Sequence, residues 1–189
     1  MKGFWITTLA LASTGWAMAQ DIPPLPLLRG DAASLKDTMK FIQAKLPGKV
    51  NYIVYGHDNV AGTDSTPLRR TLALSSVVAD AESCRIIFHM LFDNGKGSNI
   101  IEKDNEIFLK QVQEIVLMQM DQVIQQANAK AGHPEQSAKV DPAIFLVVVR
   151  SESNHSMMFN FYDEALSERV SKALQHAVEL CGGGKQEPF

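Results

Sequence analysis

The side chains in this chain that are best suited to chemistry are its five histidines. They are His57, His89, His133, His155 and His176. None of them stands at the ligand spacing of an H-E-x-x-H or C-x-x-C metal site. We therefore interpret His89 and His176 as hydrogen-bonding partners of neighbouring segments, and the sequence predicts no metal site.

The common catalytic motifs are not found in the sequence. It contains no G-x-S-x-G nucleophile elbow, no P-loop and no G-x-G-x-x-G. The acids Asp163, Glu164 and Glu168 lie together, but at the predicted start of a helix, where the helix dipole favours acidic side chains without any catalysis. We predict no catalytic and no cofactor-binding residue.

A group of methionines gives the chain a soft apolar element. They are Met90, Met118, Met120, Met157 and Met158. Because methionine adapts to irregular shapes, such a group either lines a pocket for a lipid or another apolar ligand, or fills the core.

The N-terminus has the pattern of a secretory signal peptide. Lys2 is followed by an apolar run from Phe4 to Ala12 and by small residues that end in Ala-Met-Ala at 17–19. The alternative is a retained membrane anchor, but a span needs about 18 or more apolar residues and this run is shorter. We predict a signal peptide at 1–19 and export to the periplasm or the cell exterior.

The charge balance excludes a typical nucleic-acid binder. The chain has 18 basic and 21 acidic residues, a net charge of −3, and loss of Lys2 with the signal peptide leaves 17 basic against 21 acidic. Basic residues are scattered apart from the pair Arg69-Arg70, so the electrostatic footprint of nucleic-acid binding is missing.

No later segment has the length and hydropathy of a membrane span. We expect an unknown protein or a small apolar ligand as the partner.

Both cysteines, Cys84 and Cys181, lie in the exported part of the chain. An even pair in an oxidising compartment indicates a disulfide. The bridge would close a loop of 97 residues (181 minus 84), which the chain-entropy model values at about 4–5 kcal/mol. The alternative is two separate buried thiols, because Cys181 also continues the apolar face of the last helix.

Two amphipathic helices bracket the predicted domain. The first has Ser34 as its N-cap and Asp37 at the third helical position, close to a capping box. The last extends from Asp163, its N-cap, to Cys181, and Gly182 follows as the usual C′ glycine.

Strand patterns fill the segment between the two helices. We predict strands at 50–55, 69–78, 84–92, 107–112, 115–120, 144–150 and 157–161. Residues 107–125 also fit a helix, and the β-branched pair Ile115-Val116 favours the strands. Residues 126–142, with glycine and two prolines, are interpreted as a loop.

This order predicts an α+β fold in a single domain at 34–182. Because no crossover helices separate the strands, the sheet should be antiparallel and strongly bent, or a partly open barrel, with about six or seven strands. A helix precedes the sheet and a second one caps it. A Pro-rich arm at 20–33 and a tail at 183–189 flank the domain. The outline resembles a pleckstrin-homology domain in architecture, which does not define a function.

The C-terminal segment FNFYDEALSERVSKALQHAVELCGGGKQEPF resembles the end of a family of exported, uncharacterised bacterial proteins. The shared pattern is F-x-F-x-DE…A-x-RV-x-KA…HA-x-x-LCGG…PF, and Ser167 stands where the pattern has its first alanine. The matching positions are Phe159, Phe161, Asp163, Glu164, Arg169, Val170, Lys172, Ala173, His176, Ala177, Leu180, Cys181, Gly182, Gly183, Pro188 and Phe189. The resemblance implies export and the fold, and it implies no activity.

From these observations we predict an exported, non-catalytic binding or protein-interaction module without a cofactor. Two alternatives remain open. One is a periplasmic carrier of an apolar small molecule, which requires a cavity beside Met118 and Met120. The other is a hydrolase with loop-borne residues, and its first candidates are His57, Asp58, Asp64 and Ser65.

Overall fold

A computed structural model describes residues 33–55, 67–95, 100–130, 132, 139–152 and 155–184. The predicted signal peptide and nearly all of the Pro-rich arm lie outside the described residues. The described residues, which begin at Ala33, belong to one compact unit. Within the described ranges, no helix combines the length and the hydropathy that a membrane crossing needs.

The described part of the chain contains three α-helices and eight strands. In chain order they are α1 (Leu35–Lys45), β1 (Gly48–Tyr55), β2 (Leu68–Asp80), β3 (Arg85–Asp93), β4 (Ile100–Phe108), a 3-10 turn (Leu109–Gln111), β5 (Val112–Gln119), α2 (Met120–Lys130), β6 (Lys139–Asp141), β7 (Phe145–Ser151), β8 (Ser156–Phe161) and α3 (Glu164–Leu180). The predicted α+β fold with a helix at each end is confirmed, with one strand more than expected.

The strands form two antiparallel sheets. The first sheet has the order β4-β3-β2-β1-β6 and does not close, and the second has the order β5-β7-β8. Along each strand alternate side chains face the same side, so the inner face of the first sheet is set by every second residue. On β3 these inner residues are Ile86, Phe88, Met90 and Phe92.

The final helix α3 is fixed at both ends. Asp163 caps it by accepting a hydrogen bond from the Leu166 N–H at 3.2 Å, and Gly182 follows it with φ 77°. The predicted disulfide is confirmed: Cys84, just before β3, is bonded to Cys181, with their Cα atoms 5.8 Å apart. Val170, Leu174 and other apolar residues of the helix are fully buried, as its periodicity predicted.

The first helix α1 packs beside α3. The Ser34 hydroxyl accepts from the Asp37 N–H at 3.2 Å, so the predicted cap is present. Met39 and Ile42 are buried, and the guanidinium of Arg169 lies 5.3 Å from the centre of the Phe41 ring. α1 packs on β2 of the first sheet, and α3 packs on the three strands of the second sheet.

Below these helices lies a tightly packed region that we call the closed core. It contains Ile86 and Phe88 of β3, Phe159 of β8 and Leu174 of α3, each at most 1% exposed. The rings of Phe88 and Phe159 pack edge to face with their centroids 5.4 Å apart, a favourable aromatic arrangement.

Several segments differ from the sequence predictions, and one of these differences is the short strand β6, which lies within the region interpreted as a loop at 126–142. The strand expected at 115–120 ends at Gln119, and the region interpreted as a loop from 126 begins instead with the second half of α2. Met120, Val123, Ile124 and Ala127 recur at helical spacing, which indicates why a helix forms there. The strand expected at 107–112 is also wrong, because 107–108 end β4 and 109–111 form the 3-10 turn.

One side chain bridges from the start of α3 to β1. The Tyr162 hydroxyl accepts a hydrogen bond from the Asn51 N–H at 2.6 Å and donates one to the Asn51 carbonyl at 2.9 Å. On the same edge of β1, the short strand β6 pairs only with Ile53, Val54 and Tyr55.

Candidate functional site

A cavity of about 460 Å³ lies beside the closed core, between the first sheet, α2 and β8. Its size falls within the range of about 300–1,000 Å³ that is typical of small-molecule sites. Its lining residues are Tyr52, Arg70, Leu72, Met90, Phe92, Lys103, Met120, Val123, Ile124, Ala127, Asn128, Ser156, Met157, Met158 and Asn160.

The inner face of the first sheet supplies one wall of the cavity. Arg70 and Leu72 are two residues apart on β2, so they face the same side. Tyr52 on β1 is the register partner of Arg70, and Phe92 on β3 is the register partner of Leu72. The antiparallel pairing therefore places these four side chains side by side.

The helix α2 supplies the opposite wall. Val123 and Ile124 are half-buried and pack with Met120 against a second cluster of buried residues on β1 and β7. Ala127 lies one turn further along the helix and is exposed at the cavity. The apolar residues on the side of α2 that faces the sheets therefore also line the cavity.

Four of the five methionines predicted as a group line this cavity. They are Met90, Met120, Met157 and Met158. The fifth, Met118, packs against the neighbouring buried cluster. Met158 is 46% exposed, so the methionine lining reaches from the interior to the surface.

The polar end of the cavity is formed by Arg70, Tyr52 and Asn160. Tyr52 is 3% exposed, and the side chains of Arg70 and Asn160 lie beside its hydroxyl. Burial raises the pKa of Tyr52, and the nearby Arg70 charge only partly opposes this rise. Tyr52 is therefore a neutral phenol and does not neutralise the arginine.

Arg70 has an unused hydrogen-bond donor. Its Nε atom is buried, and no partner for it is found within the described part of the chain. Lys103 of the edge strand β4 is exposed and also lines the cavity. Among the described lining residues there is no carboxylate, so the charge of the cavity wall is positive.

A second cavity, of about 520 Å³, continues the first between β4 and β8. The two share Lys103, Ser156 and Met157. The lining of the second also includes Asn105 and Glu106, so it is a more polar extension of the methionine-lined cavity.

The histidines are not gathered at this site. His89 lies on the outer face of β3, with Nδ1 2.9 Å from Asp104 Oδ1 and Nε2 3.0 Å from Glu102 Oε1. The Nε2 atom of His176 is 2.9 Å from the Ala33 carbonyl, which agrees with its predicted role as a partner of a neighbouring segment. Among the residues that the structure describes, no three His, Cys, Asp or Glu side chains are placed to hold a metal ion.

The hydrolase candidates His57, Asp58, Asp64 and Ser65 lie outside the described residues, as does His133. Asp163 caps α3, which accounts for its position at the helix start.

Sequence reasoning missed Arg70, Tyr52 and Asn160 as site residues. A signal for Arg70 was present, because the alternation of Arg70 with Leu72 and Leu74 places this arginine on the apolar face of its strand.

No family model, no curated protein and no solved structure matches this chain.

Proposed function

We propose that this protein is an exported, non-catalytic binding protein that carries a small apolar molecule. The observation that carries the proposal is the cavity whose wall includes Met90, Met120, Met157 and Met158. Methionine side chains are flexible and polarisable, and they suit ligands of variable shape. This choice favours the carrier alternative of the sequence analysis over a purely structural role for the methionines.

Two observations support export. The signal-peptide pattern at 1–19 predicts it, and the Cys84–Cys181 disulfide is the kind of bond that persists in an oxidising compartment. Membership of the exported bacterial family that the C-terminal segment resembles is part of the same proposal.

The first test is native mass spectrometry of the mature protein purified from an exporting host. We expect an additional mass that is lost on denaturation, because the cavity is large enough to retain an apolar ligand through purification. The same protein, freed of ligand, should bind the neutral fluorescent dye N-phenylnaphthylamine. A bare protein mass together with no dye binding would overturn the proposal.

A matched pair of variants on α2 locates the binding. Ala127 lines the cavity, whereas Ala129 is exposed on the same helix and is not among the lining residues. Ala127→Trp should weaken dye binding about tenfold or more by filling the cavity, and Ala129→Trp should leave it unchanged. Equal effects of the two variants would place the dye elsewhere.

A protein-interaction role is the second candidate, and the edge strand β4 favours it. Ile100 is 62% exposed, Ile101 is 47% exposed and Phe108 is 45% exposed on this strand. Exposed apolar residues on an unpaired edge are suited to pairing with another chain. A ligand-free dimer in the native mass spectrum would favour this candidate over the carrier.

A further inference from the structure

The position of Arg70 gives information about the chemistry of the ligand. Its neighbours on the same face of β2, Leu72 and Leu74, are only 6% and 7% exposed, so the arginine lies in an apolar wall. A guanidinium in such a place is unfavourable unless it is paired with an anion or fully hydrogen-bonded.

The described protein groups satisfy Arg70 only in part. The neutral Tyr52 hydroxyl lies beside it, while its buried Nε has no partner in the described part of the chain. The ion pairs that join described residues involve Arg85, His89 and Arg150, and not Arg70. A guanidinium has five donors and Arg70 lines the cavity, so donors other than the inaccessible Nε can bind an oxyanion there.

The positive charge around the cavity disfavours cationic ligands. Lys103 adds a second positive charge, and no carboxylate is present among the described lining residues. A cationic amphipath would be repelled. A soft metal ion on the methionine sulfurs would be repelled for the same reason, although thioethers are suitable ligands for such ions.

We propose that the ligand of this cavity is an amphipathic anion. Its apolar chain contacts the methionines, and its terminal oxyanion is bound by Arg70, with Tyr52 and Asn160 beside it. The planar guanidinium fork matches carboxylate and phosphate equally well, so these two head groups share the recognition chemistry. This inference rests on the proposed function, since it identifies the ligand class of the same cavity.

The experiment is a competition between matched dodecyl compounds for the bound N-phenylnaphthylamine. The competitors are dodecanoate, dodecyl phosphate, dodecanol and dodecylammonium, each below its micelle concentration and at low ionic strength. The mature, disulfide-bonded protein should release the dye at concentrations of an anion that are about tenfold or more lower than those of dodecanol. Dodecylammonium should be the weakest competitor. Whichever anion is more potent identifies the head group, and either result supports the proposal.

The neighbouring arginine provides the matched control. Arg69 is exposed on the opposite face of β2, so Arg69→Gln removes the same charge without touching the cavity. Arg70→Gln should abolish the preference for the anions over dodecanol, and Arg69→Gln should retain the preference. Arg70→Lys, which keeps the charge but loses the fork, should retain only part of it.

The possible failures are distinguishable. Dye binding by the wild-type protein with equal competition by dodecanoate and dodecanol would overturn the anionic ligand and leave the carrier function intact. A preference that survives Arg70→Gln would overturn the role of Arg70. Absence of dye binding together with a bare protein mass would overturn the carrier function itself. Because the wild-type competition needs no variant, the inference remains testable even if Arg70→Gln fails to fold.

Discussion

Phe88 and Phe92 lie four residues apart on the same face of β3, yet they belong to two different regions. Phe88 is 1% exposed and packs against Phe159 in the closed core. Phe92 is half-buried and lines the methionine cavity. The strand is the same, so the difference arises from what covers it.

The covering helices explain the contrast. The closed core lies under α1 and under the 17 residues of α3, which is capped at one end and bonded through Cys181 at the other. The cavity lies under α2, which has 11 residues and contacts its neighbours through Met120, Val123 and Ile124. The closed core and the methionine-lined cavity thus lie over separate parts of one sheet.

The largest expected effect is on the free energy of unfolding, when either phenylalanine is replaced by alanine. Phe88→Ala should lower the free energy of unfolding by about 3–5 kcal/mol, because it leaves a void in a packed core. Phe92→Ala should cost only about 1–2 kcal/mol, because its side chain is half-buried and faces a cavity. Urea denaturation followed by circular dichroism measures both values. Equal losses would show that the two regions are packed alike.

Removal of the disulfide should affect the closed core and spare the cavity. The double variant Cys84→Ala/Cys181→Ala should lose about 2–5 kcal/mol of stability, since the unfolded chain is no longer constrained. Neither cysteine lines the cavity, so dye affinity well below the melting temperature should change less than about twofold. A loss of dye binding by the folded variant would show that the regions are coupled.

The smallest effect is expected at His89, on the outer face of the strand that both regions share. The protonated imidazole of His89 donates hydrogen bonds to Asp104 and to Glu102, and these bonds, the one to Asp104 first, raise the pKa of His89 above 6.5. A raised pKa in the folded state stabilises the protein below the unfolded pKa of about 6.5, and the contribution is lost as the pH rises through the folded pKa.

We therefore expect the wild-type protein to melt at a higher temperature than His89→Gln at about pH 5.5, and at nearly the same temperature at about pH 9. The difference should be small because all three side chains are accessible to solvent. Thermal melts at both pH values measure it. A difference that stays constant or grows with pH would contradict the ion-pair explanation.

The closed core was largely predictable from the sequence. Its determinants are local: Ser34 and Asp163 are capping residues at helix starts, and the period of α3 places Val170 and Leu174 on one face. Even the long-range Cys84–Cys181 disulfide could be anticipated, because the sequence contains only these two cysteines.

The cavity side was less predictable for physical reasons. Met120 belongs to an alternating pattern with Met118 and to a helical pattern with Val123, so the sequence alone did not determine where β5 ends and α2 begins. The edge strand β4 was missed because Lys103 and Asn105 interrupt its inner face. The methionines were identified as a possible lining, but a cavity depends on the spacing between layers, which periodicity does not determine.

The contact of Tyr162 with Asn51 has a consequence for how the first sheet ends. Beyond β6, the N–H and C=O groups of β1 would be open to pairing with a foreign strand, which is a common route to aggregation. The phenol group of Tyr162 occupies both groups of Asn51, in place of the next rung of a ladder. At this point a side chain from the segment between β8 and α3 ends the sheet, so Asn51 offers no hydrogen-bonding groups to a foreign strand.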